Sequence, residues 1–177
     1  MSENKRIPLI EAEILAKQIV DRLRPHCQRI QIAGSIRRRK PDVGDIEIVA
    51  IPEFINDMFG NQSSEHELDM IDWTDFGKVC KNGSKYKQVE LWEGVNLDLF
   101  IVTPPAQWGV QFIIRTGPAD FSHKFVTPKK FGGMLPSNLT VKNGAIWNGN
   151  KIIPTPEEED DFDLLGIGFI VPENRQP

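Results

Sequence analysis

The sequence predicts an α+β fold: a larger lobe followed by a smaller one. Three observations point there. Residues 8–24 place Ala12, Leu15, Ala16, Ile19, Val20 and Leu23 at helical spacing. Val95, Leu97, Leu99 and Ile101 then alternate with Asn96, Asp98 and Phe100, the period of a strand. After Thr103-Pro104-Pro105 the pattern shifts to short helices and tight turns.

The elements follow in order. Pro25 ends the first helix, since proline blocks its continuation. A short strand around Ile30 and Ile32 runs into a Gly34-Ser35 turn, and residues 45–51 form a second strand. Asn61 to Glu67 has the composition of a surface loop. Trp73 to Cys80 reads as a strand. Residues 86–92 and 95–102, joined through Gly94, read as a hairpin. Residues 105–115 and 119–126 read as helices separated by Thr116-Gly117-Pro118. A small sheet spans 139–153, with turns at Asn143-Gly144 and Asn148-Gly149-Asn150. A last helix begins near Pro156. Its acids Glu157 to Asp161 suit a first helical turn, where the backbone dipole favours negative charge. The expected division is a larger lobe over 1–117 and a smaller one over 118–177.

The bulk numbers exclude several classes. The chain has 177 residues, of which 40% are hydrophobic and 26% charged, ordinary for a globular protein. No apolar run reaches the length of a membrane span, and Met1 to Arg6 lacks the pattern of a signal peptide, so a cytoplasmic setting is expected. Cys27 and Cys80 are far apart and outside metal-ligand spacing, which favours two reduced structural thiols. The net charge of −4 counts mildly against a nucleic-acid partner, but phosphates respond to local clusters such as Arg37 to Lys40. His26, His66 and His123 are scattered and read as surface or packing residues. Trp92 and Trp108 read as core, and Trp147 as partly exposed.

The chemistry concentrates in Ala33 to Pro52. Asp45 and Glu47 share one face of an apolar strand, roughly 6.6 Å apart by strand rise. Two uncompensated acids there repel each other and cost several kcal/mol if buried, so a cation is expected on that face. Asp98 is the lone acid of a second apolar strand. If the strands are neighbours, three carboxylates converge, and all-oxygen ligation suits magnesium or manganese. Gly34-Ser35 allows close approach of a phosphate, Arg38 can clamp its oxygens, and Gly44 leaves space beside Asp45.

The order strand, Gly34-Ser35, Arg38, Gly44-Asp45-Ile46-Glu47, then Asp98 on a later strand resembles the nucleotidyltransferase signature of the DNA polymerase beta superfamily. More narrowly it resembles family X DNA polymerases. Ile114-Arg115-Thr116-Gly117-Pro118 is similar to that family's palm–thumb junction, and Asp161 to Arg175 to its closing thumb segment. The resemblance implies a palm over 1–117, a mixed sheet with flanking helices, and a small α+β thumb over 118–177, and addition of dNMP from dNTP to a DNA 3′-hydroxyl by a two-metal mechanism. It implies that Asp45, Glu47 and Asp98 hold two Mg2+ ions, with Mn2+ able to substitute. Gly34, Ser35, Arg38 and Gly44 would bind the nucleotide triphosphate, with Thr116 and Gly117 along its sugar. The partners implied are a DNA primer end or short gap and a dNTP, with no membrane and a monomeric chain.

The chain departs from the family pattern in places. Glu47 stands where the family usually has Asp, displacing the carboxylate by about 1.5 Å. Ile114-Arg115 replaces the usual aromatics, and the lyase lobe and helix-hairpin-helix fingers of larger members have no counterpart. The pattern is that of the minimal palm–thumb polymerases known from a large DNA virus, so a bacterial or viral origin fits. Lys124, Lys129, Lys130 and Lys142 are the candidates to track a DNA backbone. Three further readings stay open: a template-independent enzyme, transfer to an RNA, protein or small-molecule acceptor, and a catalytically impaired DNA-binding relative.

Overall fold

The structure, a computed structural model, describes residues 5–56 and 62–176. It divides into two compact units, one up to Ile101 and one from Val102 onward. The division falls ahead of the expected break at residue 117, for a packing reason. Val110 and Ile113, in the helix before that break, bury against Phe121, Phe125, Phe162 and Leu165 of the second unit.

In the first unit β1 (Ile7–Pro8) leads into α1 (Leu9–Leu23). Then come β2 (Cys27–Ile32), the single helical turn α2 (Gly34–Arg37), β3 (Asp42–Val43) and β4 (Asp45–Pro52). The expected Gly-Ser turn is thus a turn of helix. β5 (Phe54–Asn56) pairs with β6 (Gln62–His66), Phe54 opposite His66. The expected surface loop is therefore strand over 62–66; Asn61 lies outside the described residues. Its polar composition concealed that His66 is buried, with Nε2 2.9 Å from the Ser84 carbonyl oxygen.

The stretch expected as one strand from Trp73 is a 3-10 turn over Trp73–Asp75 followed by β7 (Gly77–Asn82). The Asp72 carboxylate accepts the Thr74 N–H at 3.0 Å, which favours the turn. β8 (Tyr86–Leu91) and β9 (Asn96–Ile101) form the expected hairpin. Trp92 sits in its connection and is 74% exposed, so it is not a core residue.

β2, β4, β9, β8 and β7 make one five-stranded mixed sheet in that order. β4 pairs antiparallel with β2 and parallel with β9. Strand alternation divides the residues of β4 and β9 between two faces. Ile46, Ile48, Leu97 and Leu99 are fully buried in the core that also takes Ala12, Ala16, Ile19, Val20 and Leu23 of α1. Burying each large aliphatic side chain stabilises by roughly 1.5–3 kcal/mol, so this face holds the sheet in place. The opposite face carries Asp45, Glu47 and Asp98, all only partly buried.

The second unit contains α3 (Trp108–Thr116), α4 (Ala119–Val126), the antiparallel sheet β10 (Leu139–Lys142), β11 (Ala145–Asn148), β12 (Lys151–Ile153), and α5 (Glu158–Leu165). Trp108 is buried and Trp147 half-buried, as expected. The acidic run opens α5 through a reciprocal cap: the Glu157 side chain takes an N–H of the first turn, and Asp160 reaches back to the Glu157 N–H at 2.9 Å.

Candidate active site

The β4–β9 pairing is parallel, with Glu47 directly opposite Asp98 and Asp45 opposite Asn96. Side chains in register across neighbouring strands point to the same face. The register therefore sets Asp45, Glu47 and Asp98 on one patch of sheet, although Glu47 and Asp98 come from strands far apart in the chain. Burial and the nearby charge of Asp98 both push the Asp45 carboxyl above its ordinary range, while Arg38 and Arg6 pull it back. Arg6 was not anticipated. It donates 2.9 Å to the Asp42 carbonyl, beside Gly44, and its distance from the motif in sequence hid it.

Each carboxylate is held differently. Asp98 Oδ1 accepts the Tyr86 hydroxyl at 2.6 Å and the Gln88 side-chain amide at 2.9 Å. Glu47 turns its carboxylate toward Gly34. A Cβ at Gly34 would collide with that group, and the Gly34 φ of 60° is one that L side chains rarely adopt. Glycine is therefore required twice over at this position. Next to it, the Ser35 hydroxyl oxygen is buried with no hydrogen-bond partner. An orphaned buried hydroxyl costs about 1–3 kcal/mol, which a ligand oxygen would recover.

The four cations after this turn separate. Arg39 has φ 58° and pairs with Glu13 on α1 at 2.8 Å. Arg38 is the one whose charge acts on Asp45, and Lys40 is exposed.

Among the described residues no three His, Cys, Asp or Glu side chains already form a metal-holding cluster. The three acids share a face without closing on one another, as mutual repulsion dictates. Their donor chemistry fits a hard divalent cation: carboxylate oxygens only, with room for other oxygens, and an Asp45 whose strain a cation would relieve.

Thr116 and Gly117 belong to the second unit. Thr116 is buried as the last residue of α3, and Gly117 lies so close to Phe121 and Ser122 that a Cβ would clash with both. Lys124 on α4, Lys129 and Lys130 in the following turn and Lys142 at the end of β10 are all exposed. Of the histidines, His26 pairs with Glu67 at 2.9 Å and His123 is exposed.

No family model matches the sequence. Among solved structures, the chain is similar to polymerase beta of Leishmania infantum, crystallised as a ternary P/T complex. The TM-score is 0.73 at 16% identity, covering 99% of this chain and 78% of that one. The chain thus shares the fold of that polymerase beta, a mixed sheet with flanking helices.

Proposed function

We propose that the chain is a family X-type nucleotidyltransferase that adds dNMP from dNTP to a DNA 3′-hydroxyl. The observation that supports this most is the zero-offset pairing of Glu47 with Asp98, beside the Gly34–Ser35 cradle into which Glu47 points. A face built only for stability would not keep three half-exposed acids together.

In this reading the first unit serves as the palm and the second as the thumb. Gly34 and Ser35 receive a phosphate, the Ser35 hydroxyl supplying the hydrogen bond it otherwise lacks. Arg38 adds a charge-assisted clamp. Asp45, Glu47 and Asp98 would hold two magnesium or manganese ions. Such ions, when bound, stabilise both the attacking and the leaving oxygen of an in-line phosphoryl displacement. Asp98 serves the side of the attacking hydroxyl, Asp45 and Glu47 the side of the triphosphate, and Gly44 leaves the approach to Asp45 clear.

The DNA is held by few charges. With Lys124, Lys129, Lys130 and Lys142 as the contacts, about 3–5 phosphates are neutralised, for a logarithmic salt slope of roughly −3 to −5. Short gaps or primer ends, filled distributively by a monomer, follow from so light a grip.

The test is extension of a labelled primer in Mg2+ with each dNTP, with and without a template strand. Templated single-nucleotide addition is expected. Equal addition without template would make the enzyme a terminal transferase. No addition to any DNA, alongside transfer to an RNA or protein acceptor, would move it out of the polymerases.

A further inference from the structure

We propose that Tyr86 and Gln88 are positioning residues that aim the Asp98 carboxylate, a role that rests on Asp98 being a metal ligand as proposed above. The two donors come from β8, the strand on the far side of β9 from β4. In the antiparallel register Gln88 lies directly opposite Asp98 and Tyr86 directly opposite Phe100. Gln88 thus reaches straight across to Asp98, and Tyr86 reaches diagonally.

Both donate to the same oxygen. Oδ1 accepts at 2.6 Å from the Tyr86 hydroxyl and at 2.9 Å from the Gln88 amide, while Oδ2 takes no hydrogen bond from any described residue. Two donors on one oxygen fix the carboxylate's rotation and leave the other oxygen for a ligand.

The donors are themselves held. The Tyr86 ring stacks on Phe100 with centroids 5.2 Å apart and planes at 24°, and Lys81 Nζ lies 5.3 Å from the ring centroid. A phenol pinned in this way keeps its hydroxyl where the hairpin register places it. Both donors are also neutral. An arginine or lysine in their place would orient Asp98 but cancel the charge a cation needs; a phenol and an amide orient it and leave that charge intact.

Such second-layer partners of metal ligands typically affect metal affinity or activity by roughly 10–100-fold. Tyr86→Phe keeps the ring on Phe100 and removes only the hydroxyl; Gln88→Ala removes the amide. Two readouts apply. The first is Mn2+ binding to the protein alone, without nucleotide or DNA, followed by electron paramagnetic resonance. The second is the Mg2+ dependence of primer extension, with kcat and the KM for dNTP separated.

We expect Tyr86→Phe to weaken Mn2+ binding and raise the half-saturating Mg2+ by about tenfold, with the double variant worse. The thermal midpoint and the KM for dNTP should stay near those of the parent, which a general loss of structure would not allow. Unchanged Mn2+ binding and Mg2+ dependence in both single variants overturn the positioning role, whatever the reaction. Mn2+ binding that depends on Tyr86 in a protein that extends no primer upholds the positioning role and overturns the polymerase assignment instead.

Discussion

Acids occur in two unlike settings in this molecule. On the sheet of the first unit, Asp45, Glu47 and Asp98 are partly exposed and share one face. In the second unit, Glu158 and Asp161 are buried, yet their charges are dealt with inside the fold. Glu158 pairs with Arg175 at 2.8 Å, both side chains almost wholly out of water. The Arg175 guanidinium lies 5.3–5.9 Å from the ring centroids of Phe162, Phe169 and Phe121 and donates to the Ile170 carbonyl at 3.0 Å.

Asp161 takes the other course. Burial above all, with the charges of Asp160 and Glu158 adding, pushes its carboxyl up to about 8, so it is neutral in mildly acidic solution. The Thr155 hydroxyl lies against it and offsets part of the shift. The Thr155 hydroxyl and both Asp161 oxygens are buried without a hydrogen-bond partner. A fold therefore has two ways to tolerate a buried acid, pairing and protonation, and the first unit uses neither fully for Asp45. An acid left so on an accessible face is a candidate place for a ligand.

Four experiments would break or sharpen this contrast. The largest effect is expected from Arg175→Ala, which strands Glu158 in the core and should cost about 3–5 kcal/mol of stability in denaturant unfolding. A cost below 1 kcal/mol would remove the distinction between the two settings. Asp98→Asn should do the reverse: stability held or improved as repulsion on Asp45 falls, and nucleotide addition lowered at least ~10²-fold with triphosphate binding largely spared. Full turnover in magnesium would refute its role.

Arg38→Ala should weaken triphosphate binding by roughly 1.5–3 kcal/mol, the scale of a charge-assisted hydrogen bond. Arg39→Ala should do less, because Arg39 is turned to Glu13. Equal losses in titration calorimetry would mean a diffuse patch. The most gradual effect, small over any one pH unit, concerns pH. The folded Asp161 value of about 8 lies above the ordinary 3.8, so between them the folded chain keeps a proton that the unfolded chain has lost. Its contribution is fully present below about pH 4 and falls by at most on the order of 1 kcal/mol per pH unit until about pH 8. Asp161→Asn should flatten that slope in thermal melts across the range.

The three acids of the candidate site stood out in the sequence because each interrupts an apolar strand, and an interruption there is costly enough to need a reason. Their neighbourhood was legible only in part. Tyr86 and Gln88 escaped notice because polar residues at alternate positions are what any half-exposed strand carries; only the hairpin register gives them a target. Glu157 to Asp161 obeyed the rule for a helix start, and that rule concealed burial of two of its members, which depends on packing against α3 and on Arg175. Trp92 was misjudged for the opposite reason. Its size suggested the core, but a hairpin connection leaves nothing to cover it. The strand over 62–66 was hidden by a composition that any loop could have.

The five-stranded sheet ends in β2 on one side and β7 on the other, and both edges are irregular. The pairing shifts between Cys27 and Arg29 in β2 and between Val79 and Lys81 in β7, and β7 presents Lys78 and Lys81 to solvent. Bulges and edge lysines are the features that stop a foreign strand from docking edge to edge. The sheet's defence against aggregation therefore sits at the rims, and Lys78→Val should favour self-association, measured by light scattering, while Lys81 is kept because it lies over the Tyr86 ring.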